Sequence, residues 1–202
     1  PLMTGIGGDC FALFAPPSGG VIGVNGTGRA PAGHNAGLLL GQGVSSIEPG
    51  KPHCVTVPGA VAAWGLMAEK FGTRGLDELL RPAIGFAEEG YVVTPRVAYD
   101  WAAHAERIAM SPGGKAFYLP GGKPPEVGRT MRLPALGRTL RRIGEGGARA
   151  FYEGETAARM VADSGGPFAQ TRLLDAGSER GVADGMAVVT EQGLVGRVVQ
   201  TG

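Results

Sequence analysis

Few side chains in this sequence can carry acid–base, nucleophilic or metal chemistry. The three histidines, His34, His53 and His104, can each be drawn on paper into a triad with a Ser, Cys or Asp. A triad is defined by geometry, and such combinations arise cheaply in a chain of this length, so no catalytic residue is assigned from them. Cys10 and Cys54 stand 44 positions apart, with no second pair and no clustered His. That spacing fits no zinc site, allows at most one disulfide, and reads as two structural thiols of the kind buried in cores. No metal is therefore expected. Gly5-Ile6-Gly7-Gly8 precedes a strand instead of following one, so it lacks the order that aims backbone amides at a phosphate, and a packing or turn role is expected. Arg129, Arg132, Arg138, Arg141, Arg142 and Arg149 lie on a largely helical stretch with Glu145 and read as a solvated face, with an anion site as the alternative. No aromatic interleaving accompanies them, which argues against nucleic acid. Asn25-Gly26-Thr27 fits the glycosylation pattern, which matters only in a secreted eukaryotic protein.

The chain that must position these groups has 202 residues, with 37 Gly and 15 Pro. Such a share borders on low complexity, yet 43% of the residues are hydrophobic and 18% charged, enough to bury a core in one domain or a domain plus a fragment. The 19 basic and 18 acidic residues nearly cancel, which removes the global electrostatic case for nucleic acid or an anionic membrane. The longest uncharged stretches are broken by Gly, Pro, Asn and His, so no membrane span is read. The chain begins at Pro1 without an initiator or signal segment and is read as a processed product or a piece of something longer, which leaves its compartment unread.

Two apolar runs, Asp9 to Phe14 and Val21 to Asn25, flank the turn residues Pro16-Pro17-Ser18-Gly19-Gly20 and predict a hairpin of buried strands. Behind Pro58, the spacing of Val61, Trp64, Ala68 and Phe71 predicts a helix ended by Gly72. Leu76, Leu79, Leu80, Ile84 and Ala87 continue at helical spacing to Gly90, with Pro82 and Gly85 predicting a kink or a late start. Further helices are expected over Pro95 to Met110, near Leu133 to Gly144 and near Glu153 to Ala162, and a loop over Ser111 to Arg129. From Ser164 the texture becomes all-β, with short runs at Met186 to Thr190 and Leu194 to Gln200 between Gly turns. A boundary is expected at Ala162 to Gly166.

Several strings in register then resemble the large-subunit region of γ-glutamyltransferases: Gly5-Ile6-Gly7-Gly8-Asp9-Cys10-Phe11-Ala12-Leu13, Asn25-Gly26-Thr27-Gly28-Arg29-Ala30-Pro31, Val57-Pro58-Gly59-Ala60-Val61, Leu79-Leu80-Arg81-Pro82-Ala83-Ile84 with Ala87-Glu88-Glu89-Gly90, and Ala150-Phe151-Tyr152-Glu153-Gly154. The resemblance implies an N-terminal nucleophile hydrolase, freed by self-cleavage, whose threonine nucleophile uses its own α-amine as base, a chemistry that uses no cofactor, so none is expected. That threonine opens the small subunit in the family, and no Thr here stands in the Thr-Thr-His context it would need. Most oxyanion donors also come from the small subunit. The expectation is therefore a fragment of an enzyme that hydrolyses or transfers acyl groups from γ-glutamyl amides such as glutathione, inactive alone and partnered by a missing small-subunit-like segment. The family's arginine for the substrate α-carboxylate falls four residues before the proline of the Ala30-Pro31 pair, at Thr27. Arg29, two residues closer, is the alternative cation, so Thr27 and Arg29 are the candidate substrate-binding residues, and a relative acting on another amide stays open.

The tail resembles another family. Asp163-Ser164-Gly165-Gly166-Pro167-Phe168, Leu173-Leu174-Asp175-Ala176-Gly177-Ser178, Gly181-Val182 and Gly193-Leu194-Val195-Gly196-Arg197-Val198-Val199 are similar to the first β-domain of the bacterial rod shape-determining protein MreC. This resemblance implies a periplasmic scaffold partnering cell-wall elongation proteins, without its anchor. The expected fold is α+β: residues 1–162 as a partial large-subunit fold of a strand hairpin plus helices, and residues 163–202 as a short all-β segment of an incomplete barrel. A scaffold segment, or a chimeric reading frame with no selected function, is the alternative to the enzyme fragment.

Overall fold

The structure is a computed structural model that describes residues 5–30, 35–47 and 54–157, and the backbone of Ala187–Thr190 and Gly193–Arg197. These residues divide into two compact units, one built on Ala68–Gly147, the other on Ile6–Met67 with the described residues from Ala148 onward.

In the second of these units, β1 (Cys10–Phe14) and β2 (Ile22–Gly26) form the expected antiparallel hairpin, with Cys10 opposite Gly26 and Phe14 opposite Ile22. The turn closes through Gly19 N donating to Pro16 O at 3.0 Å, and Gly19 and Gly20 take φ of 92° and 83° with open space around them. The strands are not buried on both faces as their apolar runs suggest. Alternation puts Val24 and Gly26 inside, whereas Phe11 and Leu13 stand 67% and 82% exposed on the other face, because a two-stranded ribbon has only one covered side.

A short helix, α1 (Ala36–Gly41), was not legible in its glycine-rich surroundings; Asn35 caps it, its Oδ1 accepting from Leu38 N at 2.9 Å. The helix α2 (Ala60–Phe71) follows Pro58 as its periodicity predicts, with Val61 fully buried. Close backbone approaches seat it: a Cβ at Gly26 would fall 2.7 Å from that of Ala63, and one at Gly65 would fall 2.8 Å from that of Ala148.

The other unit is helical. The run expected over 76–90 breaks as Pro82 requires, into α3 (Leu76–Leu79) and α4 (Arg81–Glu89), with Pro82 in the first turn of α4. Gly90, at φ 110°, then turns the chain into β3 (Tyr91–Val92). The helix expected over 95–110 is two, α5 (Pro95–Ala103) and α6 (Ala105–Ala109), parted at His104, whose Nδ1 lies 2.8 Å from the Asp100 carbonyl. The loop expected over Ser111 to Arg129 is corrected: it opens with α7 (Pro112–Tyr118) and a 3-10 turn at Pro120–Gly122. Ser111 caps α7 by accepting from Gly114 N at 2.9 Å, Pro112 suits the first turn, and Gly114 is needed because a Cβ there would lie 2.3 Å from Ile108 O.

A strand β4 (Thr130–Met131) pairs antiparallel with β3 and leads to α8 (Pro134–Gly146). Val93, Trp101, Ile108, Leu119 and Met131 form the core here, with Trp101 edge-on to Tyr118 at 5.5 Å. Then α9 (Arg149–Tyr152), in the hairpin's unit, was not expected; helical residues 154–157 follow it, opening the helix expected near Glu153, and the rest of that expected helix lies outside the described residues. The tail strands β5 (Ala187–Thr190) and β6 (Gly193–Arg197) pair antiparallel. The boundary expected at Ala162 to Gly166 lies outside the described residues.

Helices α4 and α8 are joined by a bidentate ion pair, Arg141 Nε and Nη2 donating to Glu88 Oε1 and Oε2 at 2.8 and 2.6 Å. The Arg141 hydrogen bonds hold the Glu88 carboxyl below its ordinary value of 4.5. A value lowered by folding gives stability that is complete above the ordinary carboxylate range and is lost as pH falls through the lowered value. Glu88→Gln is accordingly expected to unfold at a lower temperature than the wild type near neutrality. The gap should close as pH drops below 4.5 and shrink in high salt. Thermal unfolding followed between about pH 3 and 7 checks this.

Candidate functional site

The two expected substrate-binding residues sit on one loop. It leaves β2 at Gly26 and runs through Thr27, Gly28 and Arg29 against the segment leading into α2. The contact is backbone on backbone but for the Thr56 hydroxyl. Val57 N donates to Arg29 O at 2.9 Å, Thr56 Oγ1 to Thr27 O at 3.4 Å, and Gly59 N and Ala60 N both to Gly8 O at 3.1 and 3.0 Å. Gly28 takes φ 79°, and a Cβ there would lie 1.8 Å from Val57 O; one at Gly59 would lie 2.3 Å from Gly26 O. Only glycine fits at these points. The Gly-rich opening thus has the packing role expected of it: its Gly8 carbonyl accepts two of the amides that α2 leaves unpaired at its start. A third, Ala62 N, donates to Tyr152 Oη at 3.0 Å, so these amides are committed within the protein and are not offered to an anion.

Thr27 and Arg29 differ in what they can do. The side chain of Asn25 folds over its own turn, its Oδ1 accepting from Thr27 N at 3.0 Å and from Thr27 Oγ1. The Thr27 hydroxyl proton is therefore occupied. Arg29 is exposed, with its carbonyl pinned by Val57 and no ion-pair partner among the described residues. It is the cation this loop presents, and five donors on a planar fork suit a carboxylate.

Other sequence candidates fall elsewhere. His34 and His53 lie outside the described residues, and His104 is used at the α5–α6 break. Cys10 is half-buried and Cys54 exposed, and neither is in a disulfide, so burial holds in part at Cys10 and not at Cys54. The arginine face is laced locally: Arg141 to Glu88, Arg149 to Glu153, and Arg132 Nε to the Glu89 carbonyl at 2.9 Å. Among the described residues no three His, Cys, Asp or Glu side chains gather as a metal site, and no helix is long and apolar enough to cross a membrane. Asn25 and Tyr152 were not singled out as site residues. The Asn25 turn is signalled by its spacing from Thr27, whereas Tyr152 reaches Pro58 across 94 positions, which no local pattern announces.

The profile of gamma-glutamyltranspeptidase matches residues 1–170. The chain belongs to the gamma-glutamyltranspeptidase family. Among curated members it is 36% identical over 167 residues to the oxamate amidohydrolase proenzyme of Klebsiella pneumoniae, covering 80% of this chain and 31% of that protein. It is 34% identical over 163 residues to the glutathione hydrolase-like YwrD proenzyme of Bacillus subtilis, with the same coverage, 80% and 31%. This gamma-glutamyltranspeptidase-family chain thus spans about a third of the length of these relatives. The crystal structure of Helicobacter pylori gamma-glutamyltranspeptidase superposes with a TM-score of 0.73 at 28% identity, over 78% of this chain and 46% of that one. That likeness is consistent with a partial large-subunit fold of an N-terminal nucleophile hydrolase. The profile of the barrel core of the rod shape-determining protein MreC matches residues 160–202.

The glycine contacts make a sharp comparison. Gly28→Ala is expected to cost about 2 to 5 kcal/mol, from a left-handed φ and a clash with backbone. Gly85→Ala, inside α4 with open space around its Cβ, should instead gain up to about 1 kcal/mol. Urea unfolding of the two variants checks the opposite signs.

Proposed function

We propose that residues 1 to about 162 are the large-subunit part of an acyl-transfer or amide-hydrolysis enzyme acting on γ-glutamyl amides such as glutathione. The observation that carries this reading is the family match over residues 1–170 together with the proenzyme relatives. In this reading a threonine on a small-subunit segment attacks the substrate amide carbonyl, its own α-amine taking the hydroxyl proton and passing it to the amine that leaves as the C–N bond breaks, and the acyl group then moves from the threonine ester to water or a second amine. This chain contributes Arg29 as the clamp on the substrate carboxylate. Without the threonine segment it is inactive. The open apolar face of the hairpin, carrying Phe11 and Leu13, suits burial under that segment.

A second substrate reading is favoured by Thr27. With threonine where the resemblance expects the clamping arginine, and its hydroxyl already bonded to Asn25, a smaller amide becomes the substrate. Oxamate, named in the 36%-identical relative, is the amide to try. For the tail, the MreC match over residues 160–202 supports a separate reading as a scaffold segment for cell-wall elongation proteins, and the overlap of the two matches at 160–170 supports a chimeric frame. One contiguous read of the source DNA through this overlap separates a real fusion from two genes.

The 202-residue chain alone should not turn over a γ-glutamyl anilide. Adding a separately made small-subunit segment should restore turnover, and failure to form a complex at micromolar concentrations would count against the reading. In the restored enzyme, Arg29→Ala should raise KM roughly 10- to 100-fold through loss of a charge-assisted contact. Arg29→Lys should recover only part of it, since the planar fork is lost. Oxamate turned over in preference to the anilide would favour the smaller amide.

A further inference from the structure

The hydroxyl of Tyr152 bridges the Pro58 carbonyl, just before Gly59, and the Ala62 amide in the first turn of α2. Its Oη donates to Pro58 O at 2.7 Å and accepts from Ala62 N at 3.0 Å. One proton and one lone pair are thus matched. The ring is held by its own element: neighbouring Phe151 is 2% exposed and meets it edge-on at 5.1 Å. Burial pushes the phenol above its usual value, so it keeps its proton through neutral pH.

What this bridge fixes extends past α2. Pro58 follows Val57, whose amide holds the Arg29 carbonyl at 2.9 Å. Gly59, between the two bridged groups, leaves no latitude, because even a Cβ on it would meet Gly26 O at 2.3 Å and Gly28 N at 2.5 Å. A displacement of Pro58 must therefore move either Val57 or the 26–29 turn. The geometry points to Tyr152 as a positioning residue for the Thr27–Arg29 loop, its hydroxyl fixing the Pro58 carbonyl and, one residue back, the amide that pins Arg29. The inference rests on the proposed role of Arg29 for its consequence in catalysis, but its structural half stands on the backbone contacts alone.

Tyr152→Phe keeps the ring and removes only the bridge. In the full chain, hydrogen exchange at the Ala62 and Val57 amides is expected to speed about two- to tenfold relative to amides of β1 and β2. In the enzyme restored with its small-subunit segment, KM should rise by a similar factor with kcat unchanged, and this rise should vanish in an Arg29→Ala background. A merely structural role would speed exchange at Ala62 alone and leave the KM-to-kcat balance as it was; exchange at Val57 equal to the wild type overturns the proposal. The two readings fail separately. If Arg29→Ala leaves KM unmoved while Val57 exchange rises in Tyr152→Phe, the substrate role of Arg29 falls and the positioning stands. 3-Fluorotyrosine at position 152, which keeps the hydroxyl, should restore wild-type exchange at Val57. Should the Phe variant not fold, the fluorine resonance of that substituted chain carries the test: it should shift on Gly28→Ala, and an unmoved resonance overturns the proposal.

Discussion

Two backbone segments pressed together without side chains between them set the terms for the hairpin's unit. The turn at 26–29 and the segment at 57–59 approach so closely that glycine is the residue that fits at three of their positions, and the hydrogen bond from Val57 N to Arg29 O consumes an amide and a carbonyl that would otherwise need water. Everything the site offers follows from that contact. It sets where β2 ends and presents Arg29 from a loop whose own carbonyl is held by Val57 N, while the Gly8 carbonyl and the Tyr152 hydroxyl meet the amides at the start of α2. A recognition group on such a support loses less freedom when it engages a ligand than one on a loose loop.

The other unit solves a different problem. Its helices are short and interrupted by Pro and Gly, and its strands β3 and β4 are two residues each, so local propensity alone would hold little. What holds it is the burial of large side chains, Trp101, Ile108 and Met131, around Val93, plus the seam where α8 lies on α3 and α4. Glycines again permit the contact: Gly137 faces the Glu88 side chain and Gly144 faces the Asp77 backbone. The same residue type that makes the composition look loose is here what lets elements approach.

That double use of glycine explains what the sequence reveals and hides. The hairpin, α2, α4 and α8 were legible because apolar spacing and flanking Pro or Gly agree. Residues 112–118 read as a loop because Pro-Gly-Gly is turn chemistry, yet Gly114 serves a close approach to Ile108 and Ser111 supplies the cap, facts visible only once Ile108 is placed. Strand burial was over-read because a run of apolar residues does not say how many faces are covered. Thr27 and Arg29 entered through family resemblance, since nothing in their spacing distinguishes a ligand-facing arginine from a solvated one. Tyr152 stayed hidden as a site residue for a simpler reason: its partners Pro58 and Ala62 are 94 and 90 positions away in the chain.

The tip of the β1–β2 hairpin closes on itself through Pro16 and Gly19, and among the described residues nothing lies within 4 Å of where a Cβ on either of its two left-handed glycines would stand. Insertions are tolerated at such self-contained surface turns, where no neighbouring backbone depends on the lengthened segment. The chain can therefore be extended there, with an affinity handle or a fluorophore-bearing peptide, at a point whose strands lead directly to Gly26 and the loop beyond it. That makes the tip a natural reporting position on the very ribbon whose outer face stands bare.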